Sequence, residues 1–422
     1  MTNADTRTNW AKNLVYGADR FVVPTSVAEA QEAVRAAKMV RVVGSRHCFN
    51  DIADTTGTQI SLERLNRVVA LDKTKSQVTI EGGVRYGELG PYLHDQGYAL
   101  LNMASLPHIS VAGAIATATH GSGALGNLAT AITAIEFVKG DGDLVTLSRD
   151  KSPDVFPGAV VHLGTLGVVT KLTLAIRSAF QVRQDVFLDL PFDAYENHFD
   201  AIMASGYSVS AFTPWQIDVV EQVWVKSEVE PGTAFAAKDS LFGGRPSTVK
   251  MHPIVGVDSV NCTEQLGVAG PAHDRLPHFR MGFTPASGDE LQVEYFVPRD
   301  HAVAAIRALR QFGPRMKNEL LVGEIRTVAA DDLWMSPCYQ VPCVVFHFSF
   351  KQDWPALKVV LPRLEAALAP YHPRPHWGKM FTMPPATIRR LFPRLTDFRA
   401  LMDAHDPAGK FRNAYMTRTL LS

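Results

Sequence analysis

The chain has 422 residues, more than the roughly 250–300 at which a single hydrophobic core stops growing, so we expect two domains. Its 42 basic and 42 acidic side chains balance and form no basic stripe with interleaved aromatics, which excludes a general affinity for nucleic acid or acidic lipid. No apolar run reaches the ~18–20 residues that span a bilayer, so we expect no membrane insertion.

Cysteine usage and the amino terminus indicate the compartment. Cys48, Cys262, Cys338 and Cys343 are widely spaced with no C-x-x-C pair, which argues against a disulfide framework or a zinc site. Residues 1–12 are polar and lack the apolar segment of a signal peptide. We therefore expect a cytoplasmic, monomeric protein that holds no metal.

The first 180 residues alternate strands and short helices punctuated by glycine. The patterns predict helices over 28–37 and 86–96, and strands over 40–43, 77–81, 132–139, 143–147 and 168–176. Gly140-Asp141-Gly142 is typical of a hairpin turn between two of these strands. Because the helices do not separate the strands evenly, the fold class is α+β rather than a regular βαβ series.

The composition changes near Phe180, where aromatics and prolines become frequent. Apolar residues at helical spacing predict helices over 302–312 and 354–368, and we expect Pro362 to break or kink the second. Such a domain typically covers a ligand site at the domain interface. We expect a first domain over 1–178, a second over 179–400 built on an antiparallel sheet flanked by helices, and a segment over 401–422 that packs back near the first.

The stretch from Val42 to Asp51 is a short buried strand that ends in a histidine-bearing loop. Gly44 and Ser45 let the backbone approach closely, so the loop can offer several N–H groups to a pyrophosphate. A neutral imidazole at His47 can serve as nucleophile, base or metal ligand, or it can simply cap a turn.

Residues 102–123 consist almost wholly of small, hydroxylic and apolar side chains. Such a run suits either a backbone that lies against a large planar ligand or a tightly packed loop in a small-residue core. Gly121 to Gly126 also matches G-x-G-x-x-G, with Asp141 about twenty residues on. No Val- or Ile-rich strand leads into this match, which weakens the alternative of a nicotinamide dehydrogenase.

Three polar groups in the second half can do chemistry. Glu324 and Arg326 lie two residues apart and share one face of a predicted strand, as do His347 and Ser349. Prolines before Lys379 stiffen its approach. Each pair alone is typical of a solvated strand face or an ion pair. If strands 322–328 and 344–350 are neighbours, the four side chains form one patch that suits a polyol, with cations to stabilise an alkoxide.

Over nearly its whole length the chain resembles the flavoprotein alditol (xylitol) oxidases. These are FAD proteins of the vanillyl-alcohol-oxidase type and are related to the aldonolactone oxidases. The segments that carry the resemblance are 44–51, 102–110, 120–123, 163–169, 261–265, 324–329, 374–379 and 406–411. The combination of Ser105, Glu-x-Arg and His-Trp-Gly-Lys is the most specific part.

The resemblance implies a two-domain flavoprotein whose FAD-binding domain has two small α/β subdomains, with His47 joined covalently to FAD. The implied cofactor-binding residues are Val42, Val43, Gly44, Ser45, Arg46, His47, Cys48, Ser105, Ser110, Gly113, Ala114, Ile115, Ala116, Gly164, Gly167, Val169, Ser349 and Lys379. The implied substrate-binding residues are Ser105, Glu324, Arg326, Ser349 and Lys379, of which Arg326 and Lys379 are catalytic.

The implied reaction oxidises the terminal C1 hydroxyl of a polyol such as xylitol or sorbitol to the aldose. The hydride passes to flavin N5 and O₂ is reduced to H₂O₂, while Arg326 and Lys379 stabilise the alkoxide. A lactone oxidase, a flavin-dependent polyol dehydrogenase and a non-catalytic flavin-binding module are alternatives on the same scaffold.

Two residues beside His47 depart from the family loop, which usually reads Gly-x-Gly-His-Ser. Arg46 replaces the second glycine, and a positive φ there would cost it about 1 kcal/mol or more. Its guanidinium can instead contact the FAD phosphates. Cys48 replaces the serine, and Ser349 stands where threonine is commoner.

Overall fold

Four β-sheets with flanking helices organise the residues that the computed structural model describes, which are 7–230, 236, 238–283 and 289–421. A three-stranded parallel sheet contains β1 (Arg20–Val22), β2 (Val40–Val43) and β3 (Thr58–Ser61), in the order β1-β3-β2. Helix α1 (Val27–Ala36) begins at Ser26, whose hydroxyl accepts a hydrogen bond from the Glu29 amide. The predicted strand over 40–43 and its preceding helix are confirmed.

A five-stranded antiparallel sheet completes the first half of the chain. Its strands are β4 (Val68–Asp72), β5 (Gln77–Glu81), β7 (Ile132–Val138), β8 (Leu144–Ser148) and β9 (Val168–Ala175), in the order β4-β5-β9-β7-β8. The short strands β6 (Tyr98–Ala99) and β10 (Arg177–Ser178) pair separately. The helices are α2 (Tyr86–Asp95), α3 (Val111–Ala116) and α4 (Phe156–Val160). The predicted hairpin is confirmed, with strand ends that differ by one residue.

A nine-stranded antiparallel sheet dominates the second half. Its strands are β11 (Gln181–Pro191), β12 (Ser208–Thr213), β13 (Val219–Val229), β14 (Arg245–Pro246), β15 (Gly270–Pro271), β16 (Glu290–Pro298), β17 (Leu320–Val328), β18 (Cys343–Lys351) and β19 (Arg374–Pro375). The order is β14-β11-β13-β12-β17-β18-β16-β19, with β15 beside β11. The predicted neighbourhood of the two polar strands is therefore confirmed.

Helices follow and flank this sheet. They are α5 (Phe192–Asn197), α6 (Phe199–Met203), α7 (Ala302–Phe312), α8 (Trp354–Leu368), α9 (Pro385–Leu391), α10 (Leu395–His405) and α11 (Ala414–Met416), and a π-helical turn spans Thr417–Leu421. Strand β18 shows how the sheet separates its faces, because its side chains alternate. Phe346, Phe348 and Phe350 join the core beneath α7 and α8, whereas His347 and Ser349 occupy the opposite face.

Pro362 does not break α8, contrary to one of the two expected outcomes. The helix continues from Trp354 to Leu368 with Pro362 inside it. Both Pro362 and Lys358, whose carbonyl loses its intrahelical partner, lie on the exposed face. Water can therefore satisfy that carbonyl, while buried leucines on the other face keep the helix docked.

Residues 410–413, near the carboxyl end of the chain, return to the first sheet. Phe411 packs in a cluster with Val34 and Val40, and the Val40 amide donates a hydrogen bond to the Lys410 carbonyl at 2.8 Å. The Asn413 amide group donates to three carbonyls, among them that of Ile52 at 3.1 Å.

Arg41 on β2 ties three distant segments together. Its guanidinium donates to the carbonyls of Gly164 at 2.9 Å, Leu163 at 2.8 Å and Phe411 at 2.7 Å, and also to that of Ile52. The side chain is 2 % exposed, and burial lowers its pKa to about 10. The guanidinium remains charged at neutral pH, and four carbonyls accept hydrogen bonds from it.

We predict that Arg41→Leu lowers the free energy of unfolding by roughly 3 kcal/mol or more, because each buried carbonyl left without a donor costs about 1–3 kcal/mol. Urea unfolding followed by tryptophan fluorescence measures the change. Arg20→Leu is the control, since Arg20 is exposed, and it should stay within about 0.5 kcal/mol of the parent. Equal effects of the two substitutions would contradict the stabilising role of the Arg41 hydrogen bonds.

Candidate active site

Two cavities meet at the loop after β2, one that reaches the nine-stranded sheet and one lined by residues of the first half of the chain. The sheet-side cavity has an empty volume of about 1330 Å³ and reaches the sheet at Glu324, Arg326 and Ser349. The loop-side cavity, of about 1320 Å³, runs past Gly82 and Gly164. Both volumes include space open to solvent. Residues 43–48 line both cavities, so the histidine loop stands where they meet.

The loop is held by close backbone contacts. The Ser110 amide donates to the Ser45 hydroxyl at 3.1 Å, and the Trp10 amide donates to the Arg46 carbonyl at 2.8 Å. A Cβ on Gly44 would lie 2.4 Å from the Ser110 hydroxyl, so the absence of a side chain permits this packing. Arg46 has φ of 64°, a left-handed conformation that favours glycine. The loop therefore imposes on Arg46 the strain considered above.

The end of the loop also holds the segment that carries Lys379. The Phe49 amide donates to the Gly378 carbonyl at 2.8 Å. The Asn50 side chain donates to the carbonyls of Trp377 at 2.8 Å and Lys379 at 2.7 Å. One short stretch of backbone thus positions residues of both cavities.

Several buried polar atoms on the loop-side cavity are unsatisfied. Both ring nitrogens of His47, the Ser110 hydroxyl and His162 Nε2 have no hydrogen-bond partner among the described residues. His162 Nδ1 accepts from the Gly164 amide at 3.0 Å, so in the neutral ring Nε2 carries the hydrogen. Orphaned polar groups of this kind indicate a ligand, because leaving them unpaired costs about 1–3 kcal/mol each.

His47 is neutral under ordinary conditions. Burial is the main cause that lowers its pKa to about 3, and the neighbouring His108 and Lys379 lower it further. Its ring stacks on Trp10 with centroids 5.5 Å apart and planes 19° apart. An unprotonated ring nitrogen with a free lone pair is the nucleophilic form of histidine.

The sheet wall of the sheet-side cavity is an ordered polar array. Strand β18 lies between β16 and β17, so His347 lies opposite Glu294 on one side and Glu324 on the other. Two residues along, Ser349 lies opposite Gln292. All five side chains line the cavity. Period-two alternation on three strands therefore places acidic, imidazole, hydroxyl and amide groups in one layer.

Glu324 and Arg326 form a buried ion pair at the centre of this wall. Arg326 Nη2 donates to Glu324 Oε2 at 2.8 Å, and Arg326 also contacts the other carboxylate oxygen and the Ser105 hydroxyl. His278 Nε2 lies 2.9 Å from Glu324 Oε1. Burial disfavours the charge on Glu324, but Arg326 and His278 outweigh it and hold the pKa of that carboxyl well below its usual range.

Lys379 enters the same cavity from the segment that the loop holds. Its ammonium donates to Gln292 Oε1 and lies 4.9 Å from the centroid of the Phe49 ring. Burial lowers the pKa of Lys379, and the carboxylate of Glu294 opposes this change. Arg326 and Lys379 thus place two cationic side chains beside the polar groups of the sheet wall, which can bind hydroxyls.

Comparison with known proteins gives the family. Residues 18–148 match the model of an FAD binding domain, and residues 289–419 match that of D-arabinono-1,4-lactone oxidase. The chain is 44 % identical over 416 residues to the alditol oxidase of a Streptomyces species, and the match covers 97 % of each chain. The chain belongs to the alditol oxidase family. It is also 28 % identical to L-gulonolactone oxidase of Mus musculus, over 97 % of each chain.

The alditol oxidase family is one of FAD-dependent oxidoreductases, so the predicted resemblance, enzyme class and FAD requirement are confirmed. The fold resembles that of a solvent-stable cholesterol oxidase, with a TM-score of 0.80 and coverage of 98 % of this chain and 96 % of that one. At 14 % identity this likeness concerns the fold alone. It confirms the expected two-domain α+β fold, and the match of residues 18–148 identifies the FAD binding domain.

Nearly all residues that the resemblance to alditol oxidases implied lie on the two cavities. Ser105, Glu324, Arg326, Ser349 and Lys379 come together on the sheet-side cavity. The residues that line the loop-side cavity are Val42, Val43, Gly44, Ser45, Arg46, His47, Cys48, Ser110, Gly113, Ala116, Gly164, Gly167 and Val169, and Ala114 lines the sheet-side cavity. Ile115 lines neither cavity, and its side chain packs in the core.

Four polar residues that were not predicted as site residues lie beside the predicted ones. They are His278, Gln292, Glu294 and His376, which all line the sheet-side cavity. Glu290-Leu-Gln-Val-Glu alternates polar and apolar residues just as the strands of Glu324 and His347 do, so this signal was available for β16. His278 and His376 lie in irregular backbone outside the strands, where the sequence has no periodicity to predict their position.

The G-x-G-x-x-G match does not form a nucleotide-binding turn. Gly121 to Gly126 form a loop after α3, with no strand leading in and no α-helix leading out. Asp141 lies in the hairpin and pairs with Lys139 at 2.5 Å. The nicotinamide alternative is therefore wrong.

In residues 7–230, 236, 238–283 and 289–421, no helix combines the length and apolarity needed to cross a membrane. Within the same ranges, no cluster of three or more His, Cys, Asp or Glu side chains is arranged to bind a metal ion.

We predict that Arg46→Gly raises the free energy of unfolding by about 0.5–1 kcal/mol. Relief of the left-handed conformation is worth roughly 1–2 kcal/mol, and the added chain entropy of glycine removes about 0.5–1 kcal/mol of it. Arg64→Gly, at an exposed arginine outside the positive-φ set, should instead lower stability by about 0.5–1 kcal/mol. Urea midpoints of both variants measure the contrast, and equal signs would show that Arg46 is not strained.

Proposed function

We propose that the chain is an FAD-dependent alditol oxidase that converts the terminal hydroxyl of a polyol to an aldehyde and reduces O₂ to H₂O₂. The observation that carries the proposal is the single wall on which Glu324, Arg326 and Ser349 meet Ser105 and Lys379, next to the histidine loop. Identity of 44 % to an alditol oxidase, against 28 % to a gulonolactone oxidase, supports a polyol substrate.

The loop-side cavity suits FAD. Gly44 permits the close approach of the loop to Ser110, and the orphaned Ser110 hydroxyl and His162 Nε2 supply polar groups for a ligand. We infer that His47 forms a covalent bond to the cofactor, since its ring is neutral, buried and unpartnered among the described residues. Bound there, FAD would supply a two-electron acceptor for the hydride that O₂ can reoxidise.

The residues of the sheet-side cavity bind and orient the polyol. Arg326 uses Nε and Nη2 for Glu324 and Ser105, so its Nη1 group remains available to the reacting hydroxyl together with the Lys379 ammonium. These cations stabilise negative charge as it develops on the oxygen. Glu324 and Ser105 accept hydrogen bonds from the neighbouring hydroxyls of the polyol, and these bonds fix the orientation of C1.

Cysteine usage and charge balance bear on the compartment and the partners of the protein. We propose a cytoplasmic monomer whose partners are the polyol and O₂. Its four cysteines are free, and three of them are buried, which suits a reducing compartment. The equal numbers of basic and acidic side chains support the absence of a nucleic acid partner.

A polyol titration tests the proposed function. Under anaerobic conditions xylitol or sorbitol should bleach the flavin absorbance, and on admission of air the enzyme should form H₂O₂ in equal amount to the aldose. Bleaching by a γ-lactone but not by polyols would instead support the lactone oxidase reading, which the match over residues 289–419 favours. Bleaching without peroxide would indicate a dehydrogenase, and no bleaching a non-catalytic flavin protein.

We predict that Lys379→Met lowers the rate constant of flavin reduction by xylitol about 10²–10³-fold, because a preorganised cation beside the developing alkoxide is lost. Flavin content should stay that of the parent, measured by absorbance. Lys73→Met removes an exposed lysine and should leave the rate constant unchanged. A loss of less than about threefold for Lys379→Met would contradict its role.

We predict that acid precipitation of the parent protein gives a yellow pellet, whereas His47→Ala gives a colourless pellet with any flavin in the supernatant. His162→Ala is the matched control, because His162 lines the same cavity but is not the proposed point of attachment. Its pellet should remain yellow. A colourless parent pellet from a yellow protein would show that the cofactor is bound without a covalent bond.

A further inference from the structure

We propose that Ser349, His347 and Glu294 form a proton relay that accepts the hydroxyl proton of the substrate. The proposal rests on the polyol oxidation proposed above. Hydride transfer from an alcohol also requires that its O–H proton leave, and Arg326 and Lys379, as cations, stabilise an alkoxide without accepting that proton. The sheet-side cavity therefore needs a base, and the array on β16 and β18 contains one.

The three groups are aligned by the sheet itself. His347 Nδ1 lies 2.6 Å from Glu294 Oε2, across the antiparallel pair that places the two residues opposite each other. His347 Nε2 lies 3.2 Å from the Ser349 hydroxyl, two residues along the same face. A hydroxyl, an imidazole and a carboxylate in sequence are the arrangement that activates an oxygen for proton transfer.

Hydrogen-bond accounting fixes the direction of the relay. An ionised carboxylate only accepts, so His347 Nδ1 must carry the hydrogen that it donates to Glu294. In the neutral ring Nε2 is then an acceptor, and the Ser349 hydroxyl donates to it. The lone pairs of the Ser349 oxygen are left for a donor in the sheet-side cavity, which Ser349 lines. The hydroxyl of a polyol is such a donor.

Glu294 is ionised and immobile. Burial opposes its charge, but attraction to His120 and hydrogen bonds from both imidazoles hold its pKa well below its usual range. His120 Nε2 contacts the second carboxylate oxygen at 2.5 Å, and His120 Nδ1 is fixed 2.6 Å from the Gly121 carbonyl. Both oxygens of Glu294 are therefore held, and the carboxylate can stabilise an imidazolium at His347.

The step balances. The substrate O–H bond breaks and its proton moves to the Ser349 oxygen, while the Ser349 proton moves to His347 Nε2. The C1–H bond breaks with its electron pair, which leaves as a hydride for which FAD is the acceptor, and the C1–O bond becomes a carbonyl. The hydride, the relayed proton and O₂ together account for both hydrogens and both electrons of H₂O₂.

The pH dependence follows from the groups that face His347. Burial lowers its pKa, Glu294 and Glu324 oppose this, and the Lys379 ammonium adds to it; the net shift is downward. The other histidine and arginine side chains that line the cavity are Arg46, His47, His120, His252, His278, Arg326 and His376. Since the base acts in its neutral form, flavin reduction should be constant at neutral pH. It should fall only when the pH drops through a value below the ordinary histidine range.

Matched variants of the holoenzyme test the relay by anaerobic stopped-flow reduction with xylitol. We predict that Ser349→Ala and His347→Gln lower the rate constant at pH 7 by about 10²-fold or more, the usual contribution of a general base. In both variants the fall of the rate constant at low pH should disappear. The rate constant should instead increase with pH, because hydroxide replaces the lost base. Ser349→Thr keeps the hydroxyl and should remain within about threefold of the parent. Glu294→Gln should shift the acid limb to lower pH.

A measurement that needs no turnover accompanies the kinetics. In protein labelled with ¹⁵N-histidine, the His347 signals, identified by their loss in His347→Gln, should show a protonated Nδ1 and an unprotonated Nε2. The opposite tautomer would overturn the relay. So would equal losses in Ser349→Ala and Ser349→Thr, or a parent-like pH profile in His347→Gln. Failure of xylitol to reduce the parent enzyme at any pH would overturn the proposed function and the relay with it.

Discussion

Two buried carboxylates on one face of the nine-stranded sheet set the conditions for the rest of the active site. An unpaired ionised carboxylate in an apolar interior is too costly to keep, so each needs partners. Glu324 takes Arg326 and His278, and Glu294 takes His120 and His347. His120 comes from the first half of the chain, so its contact with Glu294 joins the two halves at the active site.

The division of labour between the domains has a simple structural basis. The first domain supplies irregular backbone, a loop that contains Gly44 and the strained Arg46. Polar atoms of this region are available to bind a ligand. The second supplies regular backbone, in which alternation places reactive groups at fixed spacings. A cofactor with a long polar chain needs the adaptable surface, whereas the orientation of a single C–H bond needs the rigid one.

Much of this arrangement could be predicted from the sequence, and the rest could not for physical reasons. Strand alternation predicted that Glu324 and Arg326 share one face and that His347 and Ser349 share another, because period two is a local property; the pairing of their strands joins the two pairs in one patch. Glu294 carried the same signal, but only the register of β16 against β18 shows what it contacts. His278 and Ile115 depended on tertiary packing outside any periodic strand, and the solvent exposure that spares α8 at Pro362 is likewise set by docking.

The hydrogen bonds between residues 49–50 and residues 377–379 link the two cavities thermodynamically. Because Asn50 holds the carbonyl of Lys379 while the preceding loop borders the loop-side cavity, ordering one segment orders the other. Linkage makes any such effect reciprocal: an occupant that steadies the loop favours the binding of the other ligand, and by the same factor in return. Loss of the flavin should therefore weaken polyol binding as well as abolish the reaction.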